Sequence, residues 1–206
     1  KKYLRDLNFL IENTHNLPRW GGGPPMSKLC EKARNNNIKV LIGGDGVDEI
    51  SGGYNTMIDC IRKKNLNKLS THQTLTLNLP NFIKKNKYYH QFEKHINNER
   101  KNIVNKLGKI KNFKERIINS LLIQDTGSFL QMCTLPHSDE YSMFNSVELR
   151  NPYLDLDLVQ YIINEPVERK INTSKTKILF NKLAVQTFGK FIDTTKEGTR
   201  NYSKYI

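Results

Sequence analysis

IKVLIGGDGVDEISGGYN, residues 38–55, joins a short β-branched apolar run to a glycine-dense turn that carries three acids, Asp45, Asp48 and Glu49. The unbroken apolar character of IKVLI predicts a strand buried on both faces. A helix pattern precedes it and a glycine turn follows, which is the order of elements in a parallel α/β sheet. In such sheets ligands gather at the carboxyl ends of the strands, so the turn sits where a ligand is expected. Gly43, Gly44 and Gly46 let the backbone come close to a phosphate or a nucleobase. Acids beside a bare phosphate would repel it, so their presence calls for either a divalent cation or a base-type role, and Asp48 with Glu49 make half of a magnesium site. Taken alone, the turn is better read as structural, its aspartates bonding backbone N–H groups, because short glycine patterns recur by chance.

The totals set the frame. At 206 residues and 37% hydrophobic content, with a mean hydropathy of -0.62, the chain is long enough for one well-buried domain or a domain and a half. Its 33 Lys and Arg against 20 Asp and Glu leave a formal charge of +13, which would suit a polyanion. The excess is mostly lysine spread along an Asn- and Ile-rich sequence, so it reads as a residue bias on solvated faces. A small anionic substrate is expected as a partner, and nucleic acid is not. No apolar stretch approaches the roughly 18 residues needed to cross a bilayer, and no targeting segment opens the sequence. A soluble, cytoplasmic protein is the default expectation. Cys30, Cys60 and Cys133 are isolated and read as reduced, buried thiols. His15, His72, His90, His95 and His137 are scattered without a helix-spaced ligand pair, and they are assigned no metal or catalytic role.

Working outward from the turn, residues 2–12 carry apolar side chains at Tyr3, Leu4, Leu7, Leu10 and Ile11, the spacing of an amphipathic helix. PRWGGGPP, residues 18–25, reads as an exposed, specifically shaped loop in which Trp20 packs. Ser27 is then expected to cap a helix reaching about Asn36, with Leu29, Cys30 and Ala33 inside. Beyond residue 56 helical periodicity dominates, in the runs around 58–65, 80–110, 113–133, 156–164 and 175–188. This places residues 1–60 in an α/β domain portion and residues 61–206 in a helical part.

A second constellation changes the reading of the turn. HSDEYSMFNSVELRNPYLD, residues 137–155, gathers Asp139, Ser142, Met143, Glu148, Arg150, Pro152, Leu154 and Asp155. Alone, Glu148 and Arg150 would pair with other charges while Tyr153 and Leu154 pack. Together the two stretches resemble the asparagine synthase family, in which a strand leads into SGEGxDExFGGY and a stretch near DrxSMxxxxExRxPFLD follows. Here GGDGVDEISGGY stands at 43–54 and DEYSMFNSVELRNPYLD at 139–155, in the same order. Lys175 and Lys177 ahead of a helix, and TKEGTRNY at 195–202, are similar to the family's later lysine stretches.

The resemblance implies an α/β fragment of a parallel-sheet, HUP-like ATP pyrophosphatase domain followed by a mostly α-helical C-terminal part. It also implies ATP and Mg2+, a carboxylate activated as its adenylate with release of pyrophosphate, and an amine that attacks to give an amide. Gly43, Gly44 and Gly46 would lie against the nucleotide, and Asp48 with Glu49 would hold magnesium. Asp45 would face the reacting centre and orient the amine or accept its proton. Asp139 would lie on the acceptor side, and Lys175 or Lys177 would stabilise developing negative charge. Gly43 replaces the family's Ser, Asp45 its Glu, Ser51 its Phe and Glu140 its Arg. In the family an SGGxDS pyrophosphate loop and a glutaminase domain with a nucleophilic cysteine come earlier, and residues 1–39 contain neither pattern. These parts are expected upstream or from a partner, and the chain alone is expected to be inactive. The alternatives are a related amide ligase, such as a beta-lactam synthetase or lasso-peptide cyclase, and a non-catalytic family member that serves as a binding or scaffold protein.

Overall fold

A computed structural model of the chain describes residues 2–16, 22–62 and 85–189, apart from the side chains of Thr56, Asp59 and Cys60. Trp20, His72 and the TKEGTRNY stretch lie outside the described residues. In chain order the elements are α1 (Lys2–Thr14), α2 (Gly23–Asn35), β1 (Val40–Ile42), α3 (Val47–Ser51), α4 (Asn55–Arg62), α5 (Lys87–Lys106) and α6 (Phe113–Gln124). A π-helix (Asp125–Thr134) follows, then α7 (Leu135–Phe144), β2 (Glu148–Arg150), a 3-10 turn (Pro152–Leu154), α8 (Leu156–Asn164), α9 (Val167–Lys170) and α10 (Ile178–Phe188). The chain is therefore mostly helical, with a small two-stranded parallel sheet. It divides into two compact units interleaved along the sequence. Among the described residues, the first unit takes 2–16, 22–45 and 131–152, and the second takes 46–62, 85–130 and 153–189.

In the first unit β1 and β2 pair in parallel, with Val40 opposite Glu148, Leu41 opposite Leu149 and Ile42 opposite Arg150. Cys30 and Ala33 of α2 pack with Val147, and Met26 and Leu41 join them. The strand is not buried on both faces as its apolar run suggests: Ile42 is 70% exposed. With only two strands paired among the described residues, β1 lies at an edge, and the burial expected for a central parallel strand does not arise. Helix α2 also begins earlier than expected, at Gly23, with the two prolines in its first turn. Proline is tolerated there because the first N–H groups have no intrahelical acceptor to lose. Ser27 is consequently a buried interior residue and not the cap, and Leu29 is exposed while Cys30 and Ala33 are inside. In α1, Leu10 is buried and Leu4 faces solvent. Cys30 and Cys133 are buried free thiols, and burial pushes the Cys30 thiol pKa up.

The second unit is built on α6, whose cap is local chemistry: the Asn112 side chain accepts from the N–H groups of Lys114 and Glu115. Ile118 and Leu122 on its inner face pack with Met57 and Ile58 of α4, Val167 of α9, and Ile171. Each such fully buried aliphatic side chain contributes roughly 1.5–3 kcal/mol, and this cluster ties the three helices together. Asp155 caps α8 by accepting from Asp157 and Leu158. The periodic run after Phe113 is not one α-helix. At Asp125 it widens into a π-helix, where Asp, Thr and Gly, all weak α-formers, follow one another.

Lys170, at the end of α9, is fully buried, and its ammonium donates to Asn119 Oδ1 at 3.3 Å and to Ile163 O at 2.9 Å. Burial lowers its pKa, against the smaller pull of Glu115 and Glu165. Below the folded value both states hold the proton and the folded chain carries the burial penalty. Between the folded value and the unfolded one near 10.5, the unfolded chain binds more protons and stability rises with pH. The urea midpoint of the wild type should therefore climb relative to that of Lys170→Met over the alkaline range; parallel pH profiles would contradict this.

Candidate functional site

The acidic turn falls across the boundary between the units: Gly43–Asp45 end one segment of the first, and Gly46–Gly53 open the second. Each half has its own surroundings.

In the first unit the ladder runs one residue past β1, with Gly43 N–H donating to Arg150 O at 2.8 Å. Asp45 N–H then donates to Asn151 Oδ1 at 3.3 Å. The Asp45 carboxyl is partly buried, and its Oδ2 is buried with no hydrogen-bond partner among the described residues. Burial raises its pKa above the ordinary aspartate value, while the side chains of Ser138 and Asn151 act in the opposite direction. Gly44 is exposed, and a Cβ added there would meet none of the described residues within 4 Å. Asp139, next to Ser138 on α7, is exposed, and its carbonyl accepts from Ser142 Oγ at 3.1 Å. Glu148 and Arg150 pair with each other at 2.7 Å on exposed positions of β2, which contributes little to stability. His137 is buried on α7, bonded to Cys133 O at 2.6 Å and tilted against the Tyr141 ring.

In the second unit Gly46 takes φ +94°, a left-handed conformation that starts α3, and a Cβ there would come within 2.2 Å of Leu154. Asp48 and Glu49 are successive residues of the first turn of α3, so they point about 100° apart. That angle separates their environments. Asp48 Oδ1 lies 3.0 Å from Lys177 Nζ, with the two side chains about one quarter exposed, 26% and 24%. Glu49 is 2% exposed and accepts a hydrogen bond from the Tyr54 hydroxyl. Burial, and then the negative charges of Glu49, Asp48 and Asp125, hold the Tyr54 phenol well above its usual pKa. Tyr54 also meets Phe129 of the π-helix edge to face at 6.1 Å, and Asp125, which opens that helix, is buried.

Of the two candidate lysines, Lys177 is the one that reaches an acid of the turn. It sits just before α10 with φ +47°, a backbone region uncommon for a side-chain-bearing residue and a place where strain is stored. Lys175 is exposed, and its backbone N–H donates to Asn172 Oδ1 at 2.8 Å. Thr176 between them is buried.

Among the described residues no group of three or more His, Cys, Asp or Glu side chains is arranged to hold a metal ion. Magnesium, however, is commonly held through one or two carboxylates together with substrate phosphates. Asp48 fits that role, being partly exposed and already matched to a cation. Glu49, expected beside it as a second ligand, does not, because it is buried and engaged by Tyr54. Replacing Tyr54 by Phe should cost about 1.5–3 kcal/mol, the worth of a hydrogen bond made to a charged group. Urea denaturation with an unchanged m value checks this, and a loss below about 0.5 kcal/mol would refute it.

Three features were not found from sequence: Ser138 and Asn151 beside Asp45, and the Glu49–Tyr54 pair. Asn151 had a usable signal, since it precedes Pro152 and is restricted to extended backbone. Tyr54 closes the GGDGVDEISGGY stretch, and Ser138 has no such signal.

The profile of the asparagine synthase family matches residues 20–194, and the chain belongs to that family, one of ATP-dependent amide ligases. No curated protein and no solved structure gives a match to the chain. No helix among the described residues is long and apolar enough to cross a membrane.

Proposed function

We propose that the chain is the C-terminal part of an ATP-dependent ligase of asparagine synthase type, which activates a carboxylate as its adenylate and passes the acyl group to an amine. The observation that carries this is the Asp48–Lys177 pair at 3.0 Å, which joins the acid turn to a lysine far along the sequence within one unit. In this reading Gly43, Gly44 and Gly46 line the nucleotide, and Asp48 is the magnesium ligand. Magnesium would offset phosphate charge that otherwise repels an attacking carboxylate. Lys177 would meet the negative charge that builds up as the carboxylate attacks and pyrophosphate departs. Asp45, partly buried with one carboxylate oxygen that has no hydrogen-bond partner among the described residues, would orient the amine and take its proton. Its raised pKa suits a proton acceptor better than an ordinary aspartate would. Glutamine as nitrogen source and a glutaminase domain upstream belong to the same proposal, as does a cytoplasmic location.

ATP–pyrophosphate exchange by the complete protein, with aspartate as the first carboxylate tried, tests the proposal. Gly44→Ala gives a sharp form of the test. Its methyl group meets none of the described residues within 4 Å, so the urea midpoint should stay within about 0.5 kcal/mol of wild type. The KM for ATP in exchange should nevertheless rise several-fold as the bare backbone surface is covered. An unchanged KM would remove Gly44 from the nucleotide site. Absence of exchange with any carboxylate of a broad panel would favour the non-catalytic reading, and exchange with other acids alone would favour a related amide ligase.

A further inference from the structure

We propose that Asn151 is the positioning residue for Asp45, and that Gly43 lacks a side chain so that Asn151 can lie across the turn and do so. The inference rests on the reading of Asp45 as the acid that meets the amine. Because β1 and β2 run parallel and in register, both leave the sheet at the same end, and Asn151 emerges beside the turn. Pro152 behind it confines its backbone to extended conformations, which narrows the directions open to its side chain. The Asn151 amide oxygen accepts from Asp45 N–H at 3.3 Å. The same oxygen would lie 2.3 Å from a Cβ on Gly43, closer than any real contact, so Asn151 occupies the room that every other residue type would need at position 43. Ser138 of α7 approaches the Asp45 carboxyl as well. A turn with only structural duties would satisfy its buried carboxylate oxygens, whereas Asp45 Oδ2 has no hydrogen-bond partner among the described residues.

The groups that shift the Asp45 carboxyl are the two polar side chains Ser138 and Asn151, against burial, with no charged residue among the causes. Removing Asn151 therefore moves its titration in a known direction, upward. The test is carbon-detected NMR titration of the Asp45 carboxyl, identified by its loss in Asp45→Asn, together with hydrogen exchange at the Asp45 amide, both on the full chain without nucleotide. Asn151→Ala is expected to raise the Asp45 titration midpoint and to abolish protection of its amide. Gly43→Ala should do the same with Asn151 intact, because its methyl group displaces the end of a short side chain. The double variant should go no further than either single one, the mark of a shared contact. Asn151→Asp keeps the acceptor and adds a charge, so it should raise the midpoint while amide protection survives. That variant and Gly43→Ala carry the test if Asn151→Ala does not fold. An unchanged midpoint and unchanged amide exchange in the folded Asn151 and Gly43 variants would overturn the proposal. These measurements need no turnover, so their outcome is separate from that of pyrophosphate exchange.

Discussion

Asp48→Ala is expected to lower ATP–pyrophosphate exchange by the complete protein about 100-fold or more, the scale of loss when one preorganised charge-stabilising group is taken from a reacting centre. Two effects add. The proposed magnesium ligand disappears, and Lys177, which the carboxylate holds at 3.0 Å, loses the contact that directs it. Stability should change far less. Both side chains are partly exposed, so water rehydrates Lys177 once its partner is gone, and the cost should stay near the 0–1 kcal/mol typical of solvent-screened pairs. Asp48→Asn, which keeps the shape and removes the charge, should behave like the alanine variant in exchange. Exchange within threefold of wild type in both variants would show that Asp48 takes no part in the chemistry.

Gly53→Ala should produce the largest loss of fold. A Cβ there would lie 1.7 Å from Asp48 Oδ1 and 2.8 Å from the Asp48 Cα, so both a side chain and the backbone of α3 obstruct it. Asp48 could swing away, but the helix backbone could not without breaking Gly53 N–H to Asp48 O, a 2.8 Å bond. Relief of this overlap should cost about 3 kcal/mol, the upper end of overpacking penalties, read from the urea midpoint. Magnesium titration adds a second readout, because the displaced carboxylate should bind the ion more weakly. A midpoint within about 1 kcal/mol of wild type would mean that the turn can reshape and that Asp48 is not locked against Gly53.

The departures from expectation have local causes. Consecutive prolines and glycines break most structure, so PRWGGGPP reads as an irregular loop, yet two prolines suit the first turn of a helix, and α2 uses them there. The strand of IKVLI is real, but burial on both faces needs a sheet wider than the one formed among the described residues. Asp48 and Glu49 looked equivalent as neighbouring acids. A single residue step of the helix turns them about 100° apart, one toward Lys177 and one toward Tyr54.

The sequence by itself determined the helical runs of α1, α5, α6, α8 and α10, the strand followed by a glycine turn, and the family. All of these depend on spacing within a few residues or on motifs read in order. Only the tertiary structure decided which lysine meets Asp48, which side chains surround Asp45, and that the chain folds as two interleaved units. Those outcomes depend on where distant segments come together. Lys175 and Lys177 differ by two positions in sequence, yet only the second, left-handed at the start of α10, lies at the acid.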